Sequence, residues 1–208
     1  MACAVGCFEE LGNLKIMSKN ILIILGHPQK QSFCGTLAQA YAKGAEEAGN
    51  EVQQIYLGEL EFDPILWSGY HKIQALESDL VKAQQAIKWA QHLVFVYPTW
   101  WGAMPALLKG FFDRVFLPGF AFKYRDNSMM WDRLLSGRSA QLIVTMDTPP
   151  WYYRWVFRMP GHNQMKKTIL EFSGIKPVKV ISIGSINTST EQQRVKWIDK
   201  VTKLGSSA

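Results

Sequence analysis

The chain has 208 residues, of which 48% are hydrophobic, and its formal net charge is +6. This length allows one substantial core, and no second composition block suggests a further domain. Apolar runs stay well short of the roughly 20 residues that a membrane-spanning helix needs, and basic residues form no run of five or more. We therefore expect neither membrane insertion nor nucleic-acid binding.

The first sixteen residues differ in character from the remainder of the chain. The stretch "MACAVGCFEELGNLKI" lacks the basic start and apolar core of a secretory signal, and it precedes Met17, where "MSKNILIILGHP" resembles a natural beginning. We expect residues 1–16 to be an N-terminal extension to a single domain at 17–208. Only Cys34 of the three cysteines lies in that domain, which predicts neither disulfides nor a metal cluster and fits a reducing cytoplasm.

Strand-like and helix-like segments alternate along the domain. Apolar runs rich in β-branched residues predict five strands, at Ile21–Leu25, Val52–Tyr56, Leu93–Tyr97, Ala140–Thr145 and Val178–Ile183. Apolar residues three and four apart predict five helices, within residues 32–50, 75–91, 105–116, 161–174 and 190–204. Because the strands are apolar throughout, we predict an α/β fold with a flavodoxin-like, doubly wound, five-stranded parallel sheet of order 2-1-3-4-5.

This sheet order predicts where a ligand binds. In doubly wound sheets ligands lie at the carboxyl ends of the strands, near the switch point between the first and third strands. We therefore expect the functional site in the loops after Leu25, Tyr97 and Thr145. The long connections 58–74 and 117–138 exceed what a minimal fold needs, which indicates a function or a subunit interface for them.

The loop after the first strand is typical of a phosphate-binding helix start. Ser32 is the predicted N-cap of the first helix. The first N–H groups of that helix, at Phe33, Cys34 and Gly35, are expected to face outward at the positive end of its dipole. His27 could also meet a phosphate, although ordinary helix capping would by itself explain Ser32.

The loop after the third strand contains "PTWWGAM". Pro98 ends the strand. The Thr99 hydroxyl and the faces of Trp100 and Trp101 are expected at the carboxyl edge of the sheet, and Gly102 permits close approach of the backbone to a ligand. We predict that these residues bind a planar ligand with an amide edge; the alternative is that the two tryptophans cap the core.

The loop after the fourth strand is aromatic and basic. It contains Trp151, Tyr152, Tyr153, Trp155 and Phe157 beside Arg154, Arg158 and His162. Tyr153 and His162 supply a phenol and an imidazole that could handle protons near the site. The aromatic residues would also suit a subunit contact, and both roles are compatible.

These stretches together resemble one known family. "ILIILGHPQKQSF", "VYPTWWGAMPALLKGFFDRVFLPGFAF" and a fourth-strand loop ending in "PGHN" are similar to flavodoxin-like NAD(P)H:quinone oxidoreductases. That family includes DT-diaphorase, modulator-of-drug-activity proteins and the oxidoreductases ancillary to potassium efflux. The resemblance covers about residues 20–204, and its most specific part lies between Pro98 and Phe116.

The resemblance implies a flavin enzyme. Such proteins hold FAD or FMN, take hydride from NADH or NADPH, and pass two electrons to quinone-like acceptors by a ping-pong mechanism, usually as homodimers. By position, the resemblance assigns the flavin phosphate to His27, Ser32 and Phe33, the isoalloxazine to Pro98 through Gly102, and its polar edge to Thr145, Met146, Asp147 and Thr148. Tyr153 and His162 match residues near the reduced flavin, and Arg194 matches one near the adenosine end, which favours FAD.

One departure from the family lies in the loop after Thr145. Family members commonly have Thr-Thr-Gly-Gly where this chain has "TMDT" followed by two prolines. A carboxylate at Asp147 would repel negative charge on a reduced ring, so we expect it to be turned away or bonded elsewhere.

Two other functions stay open on the sequence alone. One is a flavodoxin-type electron carrier, although such carriers are typically acidic and this chain is net basic. The other is a flavin- and nucleotide-binding regulatory subunit of a partner such as a potassium-efflux system. Oxidation of NADPH with menadione would separate an enzyme from both.

Overall fold

The structure is a computed structural model that describes residues 18–208, so the predicted extension at 1–16 lies outside the described residues. The strands are β1 (Asn20–Leu25), β2 (Glu51–Tyr56), β3 (His92–Pro98), β4 (Phe122–Tyr124), β5 (Trp131–Arg133), β6 (Ser139–Thr145) and β7 (Val178–Ile183). The helices are α1 (Phe33–Glu47), α2 (Ser78–Trp89), α3 (Ala106–Val115), α4 (Pro150–Trp155), α5 (Pro160–Asn163) and α6 (Glu191–Ser206), with a 3-10 turn at Leu57–Glu59 and a π-helix at Gln164–Glu171. Within the part described, no helix combines the length and the apolar character needed to cross a membrane.

Five parallel strands form the central sheet, in the order β2-β1-β3-β6-β7. The predicted α/β fold with a five-stranded parallel sheet is confirmed, and each predicted strand is present. The strands β1, β3 and β6 are almost wholly buried because helices cover both of their faces. The expectation that all strands are apolar throughout is wrong for the edge strand β2, where Gln53 and Gln54 are exposed.

Helices cover the two faces of the sheet in pairs, α1 with α6 on one face and α2 with α3 on the other. The backbones of α1 and α6 touch because Gly44 and Gly205 have no side chain. A Cβ atom on Gly44 would lie 2.0 Å from the Thr202 carbonyl oxygen, and one on Gly205 would lie 2.2 Å from the Tyr41 oxygen. This close packing brings the start of α6 beside the start of α1.

Arg114 of α3 fixes the long connection 58–74. Its side chain is fully buried and donates to the Glu77 carboxylate at 2.8 Å and to the Ala75 carbonyl at 2.9 Å, as well as to the carbonyl of Asp63. Burial would raise the pKa of Glu77, but backbone N–H groups and the Arg114 guanidinium hold it below its ordinary value. The connection is therefore an ordered part of the fold.

Some short elements differ from the prediction. The connection 117–138 contains the antiparallel hairpin β4–β5, whose three-residue strands are too short to show a periodic pattern. The helix predicted within residues 161–174 is α5 followed by the π-helix, a form that apolar spacing alone does not distinguish from an α-helix.

Tyr97 in β3 offers a test of the core. Its side chain is 1% exposed, and its hydroxyl has no hydrogen-bond partner among the described residues. We expect Tyr97→Phe to raise the free energy of unfolding by about 1 kcal/mol, because it removes a buried unsatisfied group. Tyr41→Phe is the matched control: the Tyr41 hydroxyl contacts His92 Nε2 at 3.1 Å, so its loss should lower the free energy of unfolding. Urea unfolding measures both, and effects of the same sign would contradict this account.

Candidate active site

The carboxyl ends of β1, β3 and β6 meet at one edge of the sheet, where most of the predicted site residues lie. They form two groups. The first surrounds the start of α1 and contains His27, Ser32, Phe33, Cys34 and Arg194. The second surrounds a pocket beside the loop after β3 and contains Thr99, Trp101, Gly102, Met146, Asp147, Thr148 and Tyr153.

The start of α1 presents backbone donors. Ser32 is the N-cap, and its Oγ accepts from the Gly35 N–H at 3.2 Å. The prediction that the Gly35 N–H faces outward to a ligand is therefore wrong, because the cap uses it. The N–H groups of Phe33 and Cys34 lie in the first helical turn, where the helix itself offers no carbonyl. Two donors at the positive end of a 15-residue helix are suited to an anion.

Two cationic or donor side chains lie next to these backbone groups. The Arg194 guanidinium is 5.6 Å from the centre of the Phe33 ring, and its Nε donates to Ser189 Oγ at 2.9 Å. His27 Nδ1 lies 2.9 Å from the Gln29 nitrogen and 3.0 Å from the Gln29 carbonyl oxygen, so Nε2 is the ring nitrogen left to meet a ligand. Arg194 thus lies where an anion at α1 could reach it, and His27 lies in the loop that leads from β1 to α1.

The tryptophan pair lies in a tight turn that faces solvent. Backbone bonds of 2.9 Å and 3.1 Å between Trp100 and Ala103 close the turn. Trp100 is 46% exposed and stands edge-on to His27, with ring centres 5.7 Å apart. Trp101 has a φ of 51° and is 105% exposed. Neither indole caps the core, so the alternative interpretation of the pair is wrong.

A pocket of about 490 Å³, named here the Trp101 pocket, lies between this turn and the loop after β6. Its polar lining includes Thr99, Asp147, Thr148 and Tyr153, and its flat walls are Trp101 and Phe157. As expected, Asp147 is bonded elsewhere: its Oδ1 accepts from the Asn187 N–H at 3.0 Å. Phe157 was not among the predicted ligand contacts, because the pattern could not tell pocket-facing aromatic residues from the others.

The Tyr153 hydroxyl joins three elements. It donates to the Gly102 carbonyl at 2.9 Å and accepts from the Gly161 N–H at 2.9 Å. Burial raises the pKa of this phenol, against the opposing effect of the N–H groups of Gly161 and His162. A Cβ atom on Gly161 would lie 2.7 Å from the Gly102 oxygen, so only glycine fits there. Tyr153 therefore holds the Trp101 turn against α5.

His162 lies behind Tyr153 and does not line the Trp101 pocket. It is 6% exposed, its Nε2 is 2.8 Å from Ser182 Oγ, and its ring centre is 5.0 Å from that of Tyr153. Burial lowers the pKa of His162 to about 4, so the imidazole is neutral near pH 7. A proton-handling role for Tyr153 and His162 stays a prediction.

Three further predicted residues are Pro98, which is partly buried, and Cys34 and Thr145, whose side chains are buried. Pro98 pairs with Thr145 at the ends of β3 and β6. The Thr145 hydroxyl is 3.1 Å from Cys34 Sγ, and burial raises the pKa of that thiol to about 11 in spite of this contact. Cys34 can therefore offer a ligand its backbone N–H, but its thiol is occupied.

Two histidines, the buried His162 and the half-buried His92, predict that stability falls as the pH is lowered. Burial lowers the pKa of His162 and of His92 to about 4, with Lys19 and Lys179 also acting on His92, against 6.5 for an ordinary histidine. Between these values the unfolded chain binds more protons than the folded chain. The free energy of unfolding should therefore decrease with falling pH across this window, by up to about 1.4 kcal/mol per pH unit for each histidine.

Urea unfolding across that window measures the slope. His162→Gln should remove about half of it, because one of the two neutral histidines is gone. A slope that is the same in the variant would show that His162 is not protected from protonation.

Comparison with known proteins agrees with this architecture. A family model described as flavodoxin-like fold matches residues 19–204, so the chain belongs to this family. The ribosyldihydronicotinamide dehydrogenase (quinone) of Rattus norvegicus is 26% identical, over 90% of this chain and 91% of its own length. The ribosyldihydronicotinamide dehydrogenase-like protein traD of Penicillium crustosum is 32% identical over 61% of this chain, which spans 57% of that protein. The crystal structure of Smu.1420 from Streptococcus mutans UA159 has a TM-score of 0.77 and 30% identity, covering 90% of this chain and 99% of its own.

Proposed function

We propose that this protein is a flavin-dependent oxidoreductase that passes hydride from NAD(P)H to quinone-like acceptors by a ping-pong mechanism. One observation carries the proposal: an anion-binding helix start and a flat-walled pocket share one edge of the sheet. A flavin nucleotide, with phosphate at one end and a planar ring at the other, has the matching chemistry. The name of the rat relative, a dehydrogenase with quinone as acceptor, supports the same reaction class.

The residues present fit a flavin. The N–H groups of Phe33 and Cys34 and the Nε2 of His27 would hold its phosphate, and the Trp101 pocket would take its ring. Arg194, placed over Phe33, adds a cation for a second phosphate. For this reason we propose FAD in preference to FMN.

Bound there, the flavin would supply the ability to accept a hydride and to deliver two electrons. The protein supplies position and charge. Trp101 and Phe157 line the pocket and would flank a bound ring, and the Asn187 N–H holds the Asp147 carboxylate. We propose that the Tyr153 hydroxyl, which lines the pocket, can turn its proton from Gly102 to a ligand as negative charge develops there.

A ping-pong order is expected when one pocket serves two substrates. We propose that the nicotinamide and the quinone stack in turn on the flavin ring held in the Trp101 pocket, so the oxidised nucleotide leaves before the acceptor enters. Initial rates measured against one substrate at several fixed concentrations of the other should give parallel double-reciprocal lines. Intersecting lines would instead indicate that both substrates bind together.

The direct test is the colour and activity of the purified protein. It should show flavin absorption, release FAD identified by mass spectrometry, and oxidise NADPH with menadione. Trp101→Ala should weaken flavin binding several-fold through the lost aromatic contact. Trp67→Ala, which removes another exposed indole on the connection 58–74, is the matched control and should leave it unchanged. A colourless protein that binds no added flavin would refute the proposed function.

We also propose that the protein is a homodimer in the reducing cytoplasm, where Cys34 stays a thiol. The segments 151–160 and 117–138 expose large apolar side chains, with Trp155 at 73% and Met129 at 94%. Apolar surface of this kind favours association. Light scattering at micromolar concentration measures the mass, and a monomer would contradict the dimer.

A further inference from the structure

A second cleft, named here the Lys167 groove, adjoins the Trp101 pocket. It has a volume of about 600 Å³ and shares Trp101, Gly102 and Pro160 with that pocket. The fully exposed indole of Trp101 thus stands between two cavities. A ligand with its flat part in the Trp101 pocket can extend across this shared wall into the Lys167 groove.

The lining of the Lys167 groove is largely apolar but includes one cation, Lys167. Asn163, Gln164, Lys167 and Thr168 line it, and no carboxylate does so among the described residues. No ion pair of the described structure includes Lys167. The surrounding segment 150–170 carries Arg154, Arg158, Lys166 and Lys167 but no acidic residue. The groove therefore favours an anionic group.

The part of the Trp101 pocket that the Lys167 groove does not share has the other charge. Asp147 is exposed there, and its carboxylate is only partly engaged by the Asn187 N–H. A diphosphate that left the pocket on that side would meet a like charge, whereas on the Lys167 side it would meet an ammonium group. The two sides of the pocket therefore differ in charge, and this difference favours a path toward Lys167 for an anionic substituent.

The backbone form is also consistent with a binding role. Gln164, Lys167 and Thr168 are presented by the π-helix Gln164–Glu171, and such helices occur frequently at functional sites. The Thr168 hydroxyl donates to the Gln164 carbonyl at 2.7 Å, so its proton is already used. Lys167 is therefore the principal charged donor of the groove.

We propose that the Lys167 groove binds the diphosphate arm of the reductant and that Lys167 selects dinucleotides over the unphosphorylated riboside. This inference rests on the proposed function, because it assumes that NAD(P)H places its nicotinamide against the flavin ring held in the Trp101 pocket. The ribosyldihydronicotinamide for which the relatives are named has no phosphate, so it has nothing to place in the groove. A comparison of NAD(P)H with ribosyldihydronicotinamide therefore isolates the contribution of the groove to reductant binding.

The test compares the two reductants with the flavin-loaded protein and menadione. Lys167→Gln should lower the ratio of kcat/KM for NADPH to kcat/KM for ribosyldihydronicotinamide about tenfold, the size of one lost charged hydrogen bond. Lys167→Glu should lower the ratio further. Lys166→Gln makes the same change in net charge at a residue outside the groove lining and should leave the ratio unchanged.

Calorimetric titration with NADP⁺ gives a readout that does not depend on turnover. Its dissociation constant should rise about tenfold in Lys167→Gln and stay constant in Lys166→Gln. Equal dissociation constants for NADP⁺ in Lys167→Gln and Lys166→Gln would overturn the inference. A native protein that does not bind NADP⁺ would overturn it as well. Failure of the native protein to oxidise either reductant would instead refute the proposed function, and the titration would still decide whether Lys167 contacts the nucleotide.

Discussion

Arg114→Ala is expected to lower the free energy of unfolding by about 3–5 kcal/mol. The guanidinium is fully buried and bonds the Glu77 carboxylate and the carbonyls of Asp63 and Ala75. Removing it leaves these acceptors without their donor and opens a cavity beside α3. The connection 58–74 should then separate from the core. Urea unfolding measures the loss.

The matched control removes an exposed ion pair. Arg125 lies 2.6 Å from Asp132, but their side chains are 60% and 44% exposed. Arg125→Ala should therefore change the free energy of unfolding by less than about 1 kcal/mol. If Arg114→Ala does not fold, Arg114→Lys keeps the charge without the forked geometry and should give an intermediate loss. Equal stability of the Arg114 and Arg125 variants would contradict the role of Arg114.

Gly35→Ala is expected to raise the dissociation constant for flavin by about 100-fold or more. An alanine Cβ would lie 1.8 Å from the Lys30 carbonyl oxygen, so the loop after β1 must move away from α1. That movement displaces the Ser32 cap and the N–H groups that would hold the phosphate. Two lost hydrogen bonds to a charged group, at about 1.5–3 kcal/mol each, account for the size of the effect.

Fluorescence titration of the apoprotein with FAD measures this change, and far-ultraviolet circular dichroism checks the fold. Thr36→Ala, at the next residue on the exposed side of α1, should bind FAD as the native protein does. Tight FAD binding by Gly35→Ala would show that the start of α1 is not the phosphate site.

The sheet and the site loops were predictable because their signals are local. β1, β3 and β6 are short apolar runs, and the carboxyl ends of neighbouring parallel strands must lie at one edge. The same reasoning brought the start of α1 and the Trp101 turn together. The prediction that β2 is apolar throughout was wrong. A strand at the edge of a sheet has less of its surface covered, so exposed polar residues such as Gln53 and Gln54 are tolerated there.

The bonding of the site side chains could not be predicted, because it joins distant parts of the chain. Tyr153 and Gly102 are 51 residues apart, and Cys34 and Thr145 are 111 apart. A local pattern identifies a phenol or a thiol but not whether a far carbonyl or hydroxyl already engages it. The Lys167 groove was missed for the same reason, since the spacing predicts only a helix there and not which of its sides meets the Trp101 turn.

The left-handed backbone at Trp101 bears on how this protein would respond to engineering. At a φ of 51° a residue with a Cβ atom is less stable than glycine, by roughly 1–2 kcal/mol, and the wholly exposed indole favours self-association. A screen for heat resistance or solubility alone would therefore favour glycine at this position. The resulting protein would be more robust but would lack the wall between its two cavities, so thermostable variants of this chain should be screened for ligand binding at the same time.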